Sequence, residues 1–200
     1  MTSRTLLALD YSTTCTGYAL FDIESKKLVT HGRVQNKPKN DPNPWKKKLN
    51  RIDSAASDAA NLITQFNPTV IVIEEITGSR NRIGQKTLDG AHIVLWFKIQ
   101  PYLDKVFYYD PTGAQGWRTH LQLRLSDADK EANKEAKILN KKVAKKQQLP
   151  TVGPKQLACR YVNHTYGLSL SVDENEFDAD EADAIAMGSA FLQGKLAKTR

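Results

Sequence analysis

Cysteine is scarce in this chain, with Cys15 and Cys159 the only two among 200 residues. They show neither a pairing pattern nor metal-ligand spacing, which excludes a disulfide-stapled scaffold and a structural zinc site and suits a reducing compartment. No apolar run approaches the roughly 20 residues that a membrane helix needs, and no signal-peptide layout precedes the first apolar segment. The expectation is a cytoplasmic protein with no membrane partner. A G-x-x-x-x-G-K-[ST] phosphate loop is also missing, so the letters DEAD at Asp180 to Asp183 do not indicate a helicase. No internal repeat is visible.

Acid is the minority charge. Lys and Arg number 29 against 22 Asp and Glu, a formal net charge of +7 that favours a polyanionic partner, nucleic acid first. The 40 % apolar fraction over this length suits one domain with a core of its own.

Leu6 to Leu9 is an apolar run that ends on Asp10, followed by a Ser- and Thr-rich turn closed by Gly17 and a second run from Tyr18 to Ile23. This predicts a hairpin with a carboxylate at a strand end. By itself Asp10 could simply begin the turn. Leu28 to Val34 supplies a third strand, and Gln35 to Pro44 reads as a mobile polar loop. Trp45 to Phe66 has helical apolar spacing and stops at Asn67-Pro68. Lys46, Lys47 and Lys48 crowd its first turn against the helix dipole, which suits either a phosphate contact or a solvated end. Val70 to Glu74 has the continuous β-branched character of a central strand and delivers Glu74 and Glu75 at its end.

Beyond the loop Thr77 to Arg82, which carries Arg80 and Arg82, the spacing predicts a long apolar helix over Ile83 to Asp104 and a short strand over Val106 to Tyr109. The order is that of a mixed α/β sheet with flanking helices. Ser126 to Gln148 reads as one regular helix: Ser126 and Asp129 have capping-box spacing and Leu149-Pro150 stops it. Its narrow apolar stripe is Ala128, Ala132, Ala136, Leu139 and Val143. Another face gathers Lys134, Lys137, Lys141 and Lys145, which either track a phosphate backbone or stay solvated. Gly153 to Tyr166 and Asp180 to Leu192 are the remaining helices.

Within the acidic stretch Asp173 to Asp183, Asp180 and Asp183 are three apart and are followed by Ala184, Ile185, Ala186 and Met187. One helix face would carry both. Acid at a helix start suits the dipole, but a carboxylate leading into an apolar continuation needs a partner or a function. Acidic strand ends together with an acidic helix make an all-oxygen site suited to Mg²⁺ or Mn²⁺, two of which would support phosphodiester cleavage.

The segments LALDYSTTCTGYALFD, VIVIEEI and DEADAIAM resemble, in order and spacing across nearly the whole chain, the RuvC family of Holliday-junction resolvases, in a branch compatible with bacteriophage members. The resemblance implies a single ribonuclease-H-like domain over residues 1–200 with a five-stranded mixed sheet, and a basic helical insertion at about 120–150. It implies an endodeoxyribonuclease that nicks four-way junctions in pairs, works as a homodimer on branched DNA and uses Asp10, Glu74, Asp180 and Asp183 to bind metal and catalyse. TVGPKQLACRYVNHTYGL resembles the family's penultimate helix region, where Lys155 matches a position that contacts the cleaved strand. Arg80, Arg82 and the lysines at 134, 137, 141 and 145 are the further DNA-binding candidates. Tyr11-Ser12 and Thr77 depart from the family pattern. Two other readings stay open: a branched-DNA-binding protein on a degenerate nuclease fold, and a one-domain ATP-binding protein, because the first loop also resembles that of actin, the heat-shock chaperone ATPases and sugar kinases. The last lacks a second Gly-rich phosphate loop.

Overall fold

A computed structural model describes residues 4–76, 82–141, 143–144, 148–173, 175 and 177–195. Five strands, β1 (Thr5–Asp10), β2 (Cys15–Asp22), β3 (Leu28–Gln35), β4 (Val70–Glu74) and β5 (Val106–Tyr109), form one sheet in the order β3-β2-β1-β4-β5. Strands β1, β2 and β3 are joined antiparallel, whereas β1 to β4 and β4 to β5 are parallel. A parallel step needs a crossover, and helices α1 (Pro44–Phe66) and α2 (Arg82–Lys98) supply them. Both lie on one face over Leu7, Leu9, Leu20, Ile71 and Ile73. The other face, with Leu6, Ala8, Phe21, Val70 and Val72, is covered by α5 (Pro154–Tyr166) and α6 (Asp178–Ala190). Side chains alternate along a strand, so the face that holds Leu6 and Ala8 also receives Asp10, and the face that holds Val70 and Val72 receives Glu74.

The remaining helices are a single turn, α3 (Trp117–His120), and α4 (Asp127–Asn140). Among the described residues no helix is long and apolar enough to cross a membrane.

The structure corrects the sequence reading in four places. The long helix expected over Ile83 to Asp104 ends at Lys98, and Gln100–Lys105 is a 3-10 segment with Pro101 near its start. Proline lacks the N–H that an α-helix interior needs there. The helix expected over Ser126 to Gln148 stops at Asn140, because the Asn140 side chain leaves the helix pattern to bond both the N–H and the C=O of Leu149 at 2.7 and 2.9 Å. Only Ala136 of its apolar stripe is buried, while Leu139 and Val143 are exposed. The last helix starts two residues earlier than expected, at Asp178. The loop expected to be mobile is tied down: Asn36 Nδ2 donates to Thr13 O and Arg51 O, Asn50 Nδ2 donates to Lys39 O, and Asn43 caps α1.

Helix α6 comes very close to the sheet. A Cβ at Gly17 would lie 1.9 Å from the Asp180 carbonyl oxygen, and one at Gly188 would lie 2.4 Å from the Phe21 ring. These two glycines set the approach of α6 to β2. A hydrogen bond and an ion pair to β3 complete the docking: His31 Nδ1 lies 2.5 Å from Glu181 Oε1, and Arg33 pairs with Asp178.

Candidate active site

Parallel strands bring their carboxyl ends to the same edge of the sheet. Asp10 ends β1, Glu74 ends β4, and Asp110 follows β5. Helix α6 crosses that edge and adds Asp180 and Asp183. The four predicted carboxylates are thus gathered from three distant segments, and their mutual repulsion is felt in the titration of Asp10, Glu74 and Asp183. Burial holds the Asp10 carboxyl well above its ordinary range, and the charges of Glu74, Asp183 and Asp180 raise it further. Burial also raises Glu74, against the pull of Arg118 and the Trp117 hydrogen bond. Asp183, 4 % exposed, is pushed up to about 7 by burial, opposed by Arg118 and reinforced by Glu74.

Two neighbours of these acids come from α3, after β5, which sequence reasoning did not single out. Trp117 Nε1 donates to Glu74 Oε2 at 3.1 Å. Arg118 Nη2 donates to Asp183 Oδ2 at 2.6 Å, and its Nη1 lies 3.8 Å from Glu74 Oε2. The guanidinium is stacked 4.1 Å from the centre of the Trp117 ring, which fixes its plane. The only trace in the sequence is an apolar Trp beside an Arg shortly after a predicted strand, which does not reveal their partners 43 and 65 residues away. Gly116 permits the turn, since a Cβ there would meet Thr112 O at 2.1 Å. The N–H of Trp117 is bonded to Asp110 O at 2.9 Å, which anchors α3 to the same edge.

Lys155, in the first turn of α5, places Nζ 3.5 Å from Asp180 Oδ1 and remains half exposed. Asp180 also raises the Cys15 thiol, which burial first pushes up; together they take it to about 12 and leave it an inert neighbour of the site. Glu75 points elsewhere. It lines an apolar recess of about 390 Å³ with Asp89, His92, Trp96 and Tyr108, away from Glu74.

The other candidate cations are not part of this cluster. Lys134 pairs with Glu131 at 3.4 Å on the surface of α4, Lys137 is exposed, and Lys141, the C-cap, lines one surface recess with Lys134 and Lys137. Arg80 and Lys145 lie outside the described residues, as does the side chain of Arg82.

Among the described residues no three His, Cys, Asp or Glu side chains are already drawn together as a metal-binding group. Arg118 spans two of the carboxylates instead. The donor set nevertheless fits a hard divalent cation: every candidate ligand is a carboxylate, and Asp183 Oδ1 is buried with no hydrogen-bond partner. A buried anion in that condition needs a positive charge, and Arg118 satisfies one of its two oxygens.

No protein-family model matches the chain, and no curated protein matches it. Solved structures do. Thermus thermophilus RuvC in complex with a Holliday junction substrate superposes with a TM-score of 0.57 at 14 % identity, over 98 % of this chain and 97 % of that one. A further structure of Thermus thermophilus RuvC gives 0.54 at 15 % identity, over 96 % of each chain. The chain therefore has the RuvC-type, ribonuclease-H-like fold over nearly its whole length. That agrees with the five-stranded mixed sheet expected from the sequence.

Proposed function

We propose that this chain is a RuvC-type resolvase: a structure-selective, divalent-metal-dependent endodeoxyribonuclease that resolves four-way DNA junctions by paired phosphodiester nicks. The observation that carries the reading is the convergence of Asp10, Glu74, Asp180 and Asp183 at one sheet edge, with the Asp183 Oδ1 oxygen buried and unpartnered. The likeness to a RuvC structure that holds a Holliday junction substrate supports it at the level of fold.

These four carboxylates would hold Mg²⁺ or Mn²⁺, two ions per site. When bound, such ions supply a nucleophilic water at neutral pH and Lewis-acid stabilisation of the phosphate oxygens. The chain's own groups do the positioning. Trp117 fixes Glu74 through its indole N–H. Arg118 neutralises the acids in their unliganded condition and is placed to meet the negative charge of a phosphodiester. Lys155, at the exposed rim, is suited to a phosphate of the cleaved strand. Arg80, Arg82 and the lysines 134, 137, 141 and 145 would extend the contact along the backbone of the DNA arms.

Paired nicks on a two-fold symmetric junction call for a two-fold dimer. We assign its interface to α2, whose Ile93, Trp96 and Phe97 are exposed, Phe97 by 80 %. Sedimentation giving a monomer at micromolar concentration, with and without junction, would remove the dimer.

The deciding assay incubates the protein with matched four-way, three-way, flap and linear DNAs in Mg²⁺, Mn²⁺ or chelator. Symmetric metal-dependent nicks on the four-way junction are expected. Tight junction binding without cleavage in either metal would instead identify a non-catalytic branched-DNA-binding protein, with Arg118 as the permanent counter-ion of the acids.

A further inference from the structure

Trp45 is 72 % exposed, and Leu49, one turn further along α1 on the same face, is 63 % exposed. A lone exposed Leu is ordinary, but an indole is among the larger apolar bodies a protein can leave in water. Its neighbours Lys46 and Lys47 are exposed and Lys48 is partly so, while the first turn of α1 contains no acid. The Asn43 side chain already accepts from the N–H groups of Trp45 and Lys46 at 2.9 and 3.2 Å. What this turn offers a ligand is therefore its side chains: a flat aromatic surface with uncompensated ammonium groups around it.

Topology places this surface on the carboxylate edge. Strand β3 runs parallel to β1, because each is antiparallel to β2, so the segment leaving β3 at Gln35 starts from the end of the sheet where Asp10 lies. Asn36 fastens it there, bonding Thr13 O in the turn after Asp10 at 2.8 Å and Arg51 O of α1 at 3.0 Å. Trp45 thus stands on a rigid support, across the sheet edge from α6.

We propose that Trp45 stacks on an unpaired base of a branched DNA while Lys46, Lys47 and Lys48 take the adjoining phosphates. The proposal deepens the nuclease reading and rests on it for the identity of the DNA. Stacked aromatics bordered by cations are how unpaired strands are held, since every base has a face and every nucleotide a phosphate. A duplex covers its base faces internally, so the contact is open to bases freed at a branch point or a strand end. A protein partner covering Trp45 would have no use for three lysines with no acid among them, unless it were itself acidic.

The test measures binding in chelator to three DNAs: a four-way junction with two unpaired thymines at its centre, the single strand, and the fully paired linear duplex. Trp45→Ala is expected to weaken the junction and the single strand by about 10- to 100-fold and the duplex by less than about twofold, with Trp45→Phe retaining most of the affinity. Equal losses on all three DNAs, or no loss on any, would overturn the stacking contact. Junction cleavage by the wild type in Mg²⁺ is followed alongside. A wild type that cuts while Trp45→Ala binds at full strength removes the stacking and keeps the nuclease. A wild type that neither cuts nor prefers the junction removes the nuclease reading, and the single-strand comparison still decides the role of Trp45.

Discussion

Helix α6 and helix α4 both carry charged residues proposed to meet DNA or its metal ions, but they are held by different means. Of the 13 residues of α6, all but Asp178 and Asp180 are buried, so its position follows from packing against β1 and β2. Of the 14 residues of α4, Ala136 alone is buried. That helix is kept in place by side chains. Asn133 bonds the N–H and C=O of Val152 at 2.7 and 2.8 Å, Asn140 does the same with Leu149, and Arg160 pairs with Asp129 at 2.8 Å. Packing fixes a carboxylate to within the tolerance that metal chemistry needs, at the cost of burying like charges together. Side-chain ties leave lysines in water, where their charge is available and cheap to keep, but they define position less stringently.

The largest break in this comparison should come from the packed region. Asp10→Asn or Glu74→Gln should lower junction cleavage by about a thousandfold or more, since several kcal/mol of transition-state stabilisation are lost with the metal, while junction binding persists. Single-turnover rates beside binding isotherms would show it; cleavage at the normal rate would sink the assignment. The tied region should behave in the opposite way. Replacing Lys134, Lys137 and Lys141 by Gln should leave single-turnover cleavage at saturating protein unchanged and shallow the slope of log K against log salt by up to about 2.7, at about 0.9 per lost phosphate contact. An unchanged slope would make α4 an element of assembly.

Repulsion within the packed centre predicts a pH signature. The folded Asp183 carboxyl titrates near 7, above its unfolded value, so its contribution to stability is present below about pH 4 and is lost as the pH rises through about 7. In chelator, the wild type should lose on the order of a few kcal/mol relative to Asp183→Asn across that window, read from urea melts at each pH. Mg²⁺ should reverse most of the loss. A pH-independent difference would mean that Arg118 alone compensates the charge. The smallest effect belongs to the ties: Asn133→Ala should cost about 1 kcal/mol per lost hydrogen bond, felt locally as faster proteolysis near Leu149 with little change in global melting.

How far the sequence was legible follows the same division. The strands were readable because burial leaves strong patterns: VIVIE can sit in few places other than a central strand, and Asp183 ahead of an apolar run demands an explanation, whereas the grouping of Asp10, Glu74, Asp180 and Asp183 came from the family resemblance. The end of α4 was misread because the apolar stripe and the lysine face both continue past Asn140, and nothing in local propensity reveals a side chain that will reach Leu149 instead of solvent. Arg118 was missed for a related reason. Its partners, Glu74 and Asp183, are remote in sequence, and a single Arg after a strand looks like any surface cation until the fold closes. Both misreadings concern side-chain polar contacts that reach beyond a helical turn, which leave no periodicity.

The parallel pairing of β1 with β4 also governs when the proposed metal site is assembled. Asp10 and Glu74 come side by side once α1 has crossed over, but Asp180 and Asp183 lie far downstream and arrive on α6. Contacts between α6 and β1 or β2 close the longest loops in the molecule, and such contacts form late in folding. On the ribosome, a chain that has completed the sheet still holds half of its carboxylates, with Arg118 beside Glu74. The proposed metal site is therefore completed only with the docking of α6 through Gly17 and Gly188.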